Sequence, residues 1–309
     1  MTAARAVVFG YHDVGVRCLR ALLSGGVEIP LVVTVADDAS EAQWFGSVAA
    51  SARDQGLAVM APADANTPEI ERTVRDLQPD FIFSFYYRSM LGSRLLSCAR
   101  RGALNMHGSL LPKYRGRAPV NWAILRGERE TGATLHYMVE RADAGDIVDQ
   151  LAVPILRDDD ARDVFTKVTV AAETILARSL PGLLAGTAPR RPQSIEPGQY
   201  FGRRRPEDGR IDWMQSAHQI NNLVRAVAPP FPGAFADIRG VRWWIHRTRV
   251  QPRCGAPSGH PQLMAAAGRC YVQCADGSVL EILTAVTDEG PINLQGLASH
   301  LHLQPIALD

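Results

Sequence analysis

Apolar and polar positions change period repeatedly along the first half of the chain. Arg5–Gly10 is almost continuously apolar, the pattern of a strand buried on both faces. Residues 11–15 read as a turn, 16–23 as a helix and 29–35 as the next strand, which makes a βαβ opening. Helical spacing returns over 41–55 and 68–77, and strands are expected near 58–60, 80–85, 103–106 and 132–138. This alternation predicts an α/β fold, a doubly wound, mostly parallel, Rossmann-like sheet. The first turn carries Gly10 and Gly15 without the G-x-G-x-x-G spacing that brings a backbone against a pyrophosphate, so no dinucleotide site is expected.

Over 161–183 the apolar residues Val164, Phe165, Val168, Ala172, Ile175, Leu176 and Leu180 recur at helical spacing, with Gly186 as the expected stop. Pro189, Pro192 and Pro197 then fall in a stretch poor in apolar residues, the composition of a linker. A helix over 216–227 and short alternating runs at 234–238, 241–250, 270–275 and 279–283 follow, which suggests a smaller C-terminal β-rich domain, an OB-like barrel. The expected division is a domain over 1–188, a linker over 189–203 and a second domain over 204–309.

The 309 residues suffice for two such domains, and 46% hydrophobic with 21% charged residues is ordinary for a globular chain. No apolar run approaches 18 residues and no secretory segment opens the chain, so neither a membrane partner nor export is expected and a cytoplasmic location is. Five cysteines form no regular framework. Cys270, Val272 and Cys274 alternate along one strand face, which favours packing over zinc ligation with Cys254, and no metal is assigned. A net charge of +1 lacks the cationic excess that nucleic-acid binding demands. Small-molecule substrates are the expected partners.

Candidate chemistry gathers in 105–122. In open α/β sheets ligands bind beyond the carboxyl ends of strands, where Tyr86, Tyr87 and Arg88 follow one strand and His107 another. Asn105 and His107, two apart on a strand, point to one side. Residues 139–145, after a third strand, offer the carboxylate of Asp143. A carboxylate beside an imidazole favours its charged form, and a neutral amide can stabilise an oxyanion. Together they suit acyl transfer to an amine. Ser109 lacks the G-x-S-x-G elbow of a serine nucleophile, and His136 reads as a satisfied strand residue. Lys113, Arg115 and Arg117, just ahead of a helix opened by Pro119, are expected to bind an anion.

The pattern Asn105-x-His107-x-Ser109-Leu110-Leu111-Pro112, then Arg115-Gly116 and Asp143-x-Gly145-x-Ile147, resembles the core of the folate-dependent formyltransferases that use 10-formyltetrahydrofolate. Phe201-Gly202-Arg203-Arg204 and Ile211-Asp212-Trp213 resemble the start of the family's C-terminal domain. The resemblance implies that Asn105 stabilises the oxyanion, His107 carries the proton and Asp143 favours the protonated ring. It also implies that Ser89, Met90, Leu91, Val139, Glu140, Arg141 and Ala142 line the folate pocket and that Arg117 contacts the co-substrate. A flat pteridine can take its hydrogen bonds from backbone at strand ends, so no metal is required.

Within the family, residues 84–88 and 107–119 are similar to the branch that formylates UDP-4-amino-4-deoxy-L-arabinose in lipid A modification and polymyxin resistance. That branch implies an enzyme, with decarboxylation of the sugar done elsewhere. Another nucleotide-linked amino sugar, such as a dTDP-4-amino-dideoxy sugar, is the alternative acceptor. Initiator-tRNA formyltransferases share the Asn, His and Asp but typically carry a basic loop after the second strand, where 36–46 here holds Asp37, Asp38 and Glu41 and no Lys or Arg. A binding protein without turnover is the reading from a different class, and the complete trio argues against it.

Overall fold

A computed structural model describes residues 3–36, 43–196, 200–252, 256–257, 259–301 and 304–308. Its first half runs β1 (Arg5–Gly10), α1 (His12–Ser24), β2 (Glu28–Val33), α2 (Val48–Asp54), β3 (Val59–Met60), α3 (Pro68–Asp76), β4 (Phe81–Phe85), α4 (Ser93–Leu96), β5 (Gly102–His107), β6 (Arg115–Gly116), α5 (Pro119–Leu125), β7 (Glu130–Tyr137), β8 (Ile147–Pro154), α6 (Ala161–Ala185) and β9 (Tyr200–Phe201). The main sheet has the order β3-β2-β1-β4-β5-β7-β8. Strands β3, β2, β1, β4 and β5 pair in parallel in that order, whereas β7 and β8 join antiparallel.

Because the central strand β1 is covered on both faces, it is apolar along its middle: Ala6, Val7, Val8 and Phe9 are fully buried. Val7, Phe9, Leu31, Val33 and Ile82 form a core with Ile70 and Val74 of α3 and Leu95 of α4. Thr67 caps α3 by accepting the Ile70 amide, and Ser47 caps α2 by accepting that of Ala50.

The expected turn over 11–15 is absent, and α1 starts at His12. His12 takes a left-handed φ of 65°, which carries the chain from strand to helix within one residue. Strand β8 was not anticipated, and α2 begins later than its pattern suggests, with residues 41 and 42 outside the described residues. The acidic stretch holding Asp37, Asp38 and Glu41 also lies outside them. By length and hydropathy α6 alone among the described helices is long and apolar enough to cross a membrane, although polar residues interrupt its apolar runs. Its Val164, Val168, Ala172, Ile175, Leu176 and Leu180 are buried within the protein.

The remaining elements are a short 3-10 turn (Pro206–Gly209), α7 (Ala217–Val227), β10 (Ala234–Ile238), β11 (Val241–Val250), β12 (Gln262–Ala266), β13 (Arg269–Gln273), β14 (Val279–Thr287), β15 (Gly290–Pro291), α8 (Leu294–Leu301) and β16 (Ile306–Ala307). They build a curled antiparallel sheet of order β10-β11-β14-β13-β12-β16, with β15 on β14. Cys270 and Cys274 are buried there as packing residues, and Cys254 lies outside the described residues. Two compact units emerge, one of Met1–Pro119, Glu130–Pro154 and Phe165–Gly202, the other of Val120–Arg129, Ile155–Val164 and Arg203–Asp309. The second therefore includes two short excursions that a single boundary at 189–203 would leave in the first.

Candidate active site

Strand β5 carries Asn105 and His107 on one face, and the antiparallel register sets Asn105 opposite His136 and His107 opposite Thr134. Cross-strand partners on one face are neighbours. The Asn105 Nδ2 lies 3.1 Å from His136 Nε2 and 3.5 Å from Asp143 Oδ1.

His107 is buried, with Nε2 2.8 Å from the Tyr114 carbonyl oxygen and Nδ1 3.5 Å from Asp143 Oδ1. A carbonyl only accepts, so Nε2 carries a proton and the exchangeable position is Nδ1, beside the carboxylate. The other carboxylate oxygen of Asp143 accepts the Gly116 amide at 2.9 Å. Burial pushes this carboxyl up. The neighbouring charge of His107 and the Gly116 amide outweigh that and hold it well below the usual carboxylate range.

Asp143 reaches the histidine by a different route from the one its position after a strand suggests. Because β7 runs antiparallel to β5, Tyr137 pairs with Leu104 and not with His107. The chain between β7 and β8 must fold back over the face of β5 to deliver the carboxylate. Gly145 permits this, since a Cβ there would stand 2.0 Å from the Tyr137 carbonyl oxygen. Asp143 itself adopts a left-handed φ of 50°. The Arg115 side chain braces the turn by donating to the Ala142 carbonyl from Nη2 at 2.7 Å and from Nε at 3.2 Å.

That role takes Arg115 out of the anion site expected at Lys113, Arg115 and Arg117. Arg115 is buried and committed to the protein's own backbone; Arg117 is exposed, with its amide donating to the Phe201 carbonyl. Ser109 is no nucleophile. Its buried hydroxyl donates to the Lys113 carbonyl at 2.6 Å, and its own carbonyl accepts from Thr134 Oγ1.

The residues matched to a folate pocket fall on two loops. Ser89 and Met90 are exposed, whereas Leu91 is buried in the apolar core. Asn66, which sequence reasoning missed, clamps this loop by donating to the Met90 carbonyl at 2.9 Å and accepting the Gly92 amide at 2.6 Å. Val139, Glu140 and Arg141 are exposed on the other loop, and Ala142 is half-buried. A cleft of about 500 Å³ is lined by Val139 and Glu140 together with Leu96, Ala103, Met138 and Arg190, among others. This volume lies within the range of small-molecule sites, roughly 300 to 1,000 Å³.

His136 lies in β7. From the sequence it reads as a satisfied strand residue, and its Nδ1 does contact a backbone carbonyl, that of Tyr137, at 2.8 Å. Its other nitrogen faces Asn105. The signal was present in the alternation Thr134, His136 along β7, but only strand pairing brings that face against Asn105.

Residues 4–180 match the family model described as formyl transferase, and residues 204–295 match that of the formyl transferase C-terminal domain. The chain belongs to the formyltransferase family. It is a formyl-transferring enzyme. Among solved structures it is similar to the N-formyltransferase from Helicobacter canadensis in complex with folinic acid and dTDP-3-aminofucose, with 21% identity, 90% of this chain and 98% of that one covered, and a TM-score of 0.72. A sugar 3N-formyltransferase solved in the presence of dTDP and 5-N-formyl-THF gives 19% identity, 95% and 99% coverage and a TM-score of 0.72. A 4-N formyltransferase from Francisella tularensis gives 19%, 77% and 95%, with 0.62. At these identities the structural likeness speaks for the fold.

Proposed function

We propose that this formyltransferase moves the formyl group of 10-formyltetrahydrofolate to the amine of a nucleotide-linked amino sugar. The observation that carries the reading is the convergence of Asn105 Nδ2 and His107 Nδ1 on one oxygen of Asp143, each at 3.5 Å. The amine attacks the formyl carbon and a carbon–nitrogen bond forms, with Asn105 donating to the oxygen that becomes negative. The bond from the formyl carbon to N10 then breaks as a proton passes from the amine to N10, carried by Nδ1 of His107. Asp143 stabilises the imidazolium during that transfer.

Donor binding is assigned to residues 1–188, with 189–203 as linker. The folate rests against Ser89, Met90 and the backbone of Leu91 on one side and Val139 to Ala142 on the other, with Arg117 reaching it. Exposed Met90 and Val139 support this, because both hold out apolar side chains that a flat ring would cover. The pteridine takes its hydrogen bonds from backbone.

The acceptor proposed first is the 4-amine of UDP-4-amino-4-deoxy-L-arabinose, on the likeness of 84–88 and 107–119 to that branch. The second is a dTDP-linked amino sugar, favoured by the dTDP compounds named in the complexes of two structural neighbours. Incubating enzyme and 10-formyltetrahydrofolate with each sugar nucleotide, and with charged initiator tRNA, tests both. Formylation of the UDP-sugar above the dTDP-sugar supports the first assignment, and the reverse order replaces it by the second. Formylation of the tRNA alone would end the sugar reading.

A further inference from the structure

We propose that His136 is a positioning residue for Asn105: a neutral imidazole whose Nε2 lone pair accepts one N–H of the Asn105 amide and so aims the other at the reacting carbonyl. The inference rests on the function proposed above for Asn105, but the hydrogen bond itself is independent of it.

The tautomer follows from the partners. His136 Nδ1 is 2.8 Å from the Tyr137 carbonyl oxygen, which only accepts, so Nδ1 bears the proton. In a neutral ring Nε2 is then an acceptor. The group it meets is the Asn105 amide, and the nearby carboxylate orients that amide. With Asp143 Oδ1 3.5 Å away, the nitrogen faces it and the amide oxygen is turned from a like charge. Asn105 Nδ2 thus donates to His136 at 3.1 Å.

The two N–H groups of Asn105 are unequally held. The bond to His136 has ordinary length, whereas the 3.5 Å approach to Asp143 is at the outer limit of a hydrogen bond. An incoming oxyanion takes the weakly held N–H, and the other keeps the amide in place. His136 can do this because it is rigid: it is 1% exposed, sits in β7 directly opposite Asn105 and is tied at Nδ1. Its Nε2 is also 3.6 Å from Asp143 Oδ1, so the 3.1 Å approach of the Asn105 amide is the closer of its two contacts.

Gln places an acceptor oxygen where His has Nε2 and cannot be protonated, while Leu fills similar space and accepts nothing. With 10-formyltetrahydrofolate and UDP-4-amino-4-deoxy-L-arabinose or its dTDP-linked counterpart, His136→Leu is expected to lower kcat by about tenfold to a hundredfold. Its KM values and its affinity for folinic acid should stay within about twofold. His136→Gln should recover most of the loss. Wild-type kcat in the Leu variant, or equal defects in Leu and Gln, overturns the proposal.

Long-range 1H–15N spectra of the imidazoles test the bond without turnover. One histidine should be protonated at Nδ1 and bare at Nε2, its signal absent in His136→Gln and its Nε2 shifted in Asn105→Leu. A proton on Nε2 of that ring refutes the inference. If the wild-type enzyme formylates none of the sugars, the functional reading fails while the spectrum still decides the hydrogen bond.

Discussion

His107 at the end of β5 and His12 just beyond the end of β1 are both buried, at 6% and 8% exposure, and each stands beside an aspartate. Their surroundings part them. The Nδ1 of His12 accepts the Asp13 backbone amide at 2.9 Å, and Asp13 turns its own Oδ1 to the Gly46 amide at 2.7 Å. Around the ring lie Phe45, stacked at 3.9 Å between centroids, Trp44 in a T-shaped contact and Phe165 tilted against it. Burial, aided by the Arg88 charge, pushes His12 down from 6.5 to about 3, so it stays neutral as a packing residue. At His107 both ring nitrogens face oxygens, a carbonyl and a carboxylate. Proximity of His to Asp says little until the acceptor on each ring nitrogen is known.

Substitution at His107 should open the widest gap between the two sites. His107→Ala is expected to lose roughly a hundredfold or more in kcat, because a general acid or base is gone, with folinic acid binding retained. A variant that turns over normally would remove His107 from the mechanism.

Asp143→Asn should follow, with a kcat loss of several tens-fold and a change in acid stability that separates the two sites. The folded carboxyl lies below its ordinary 3.8, so its contribution to stability is present above that pH and is lost as pH falls through and below it. His12 titrates in another window. Its folded pKa of about 3 lies below 6.5, so stability falls as pH drops from about 6.5 toward 3 and only the unfolded chain takes up the proton. Urea denaturation from pH 7 to 3 should show His12→Phe flattening the limb that starts near 6.5, while Asp143→Asn leaves that part intact. Identical curves for the two variants would contradict this division.

A smaller effect is expected from Gly145→Ala, where the new Cβ meets a backbone oxygen and the 138–146 loop must shift. About tenfold in kcat is the expected cost, since a misplacement near 1 Å is enough. Unchanged kinetics would show that the loop tolerates the displacement. His12→Phe should alter kcat least, by less than about threefold, as aromatic replaces aromatic in a ring cluster. A large loss there would break the contrast between the two histidines.

Much of this architecture was legible in the residues. Continuous apolar runs marked β1 and β4, helical spacing marked α6 and α7, and the period of two put Asn105 and His107 on one face. Elements whose composition is mixed escaped: β8 sets Asp149 and Gln150 side by side in an apolar run, β12 is short, and α8 is short with Gly296 inside it. The burial of Arg115 could not be read, because an arginine in a loop is recognised as a brace only when the carbonyl it holds is known.

The order of residues along the chain was enough to establish the α/β class, the amide and imidazole pair at a strand end, and the likeness to formyltransferases, since each depends on local spacing. Tertiary structure alone decided that β7 runs antiparallel to β5. From that follow the neighbourhood of His136 and Asn105 and the fold-back that brings Asp143 to His107. The reason is physical: strand direction is set by pairing between segments about thirty positions apart, and one-strand periodicity is the same whichever way the neighbour runs.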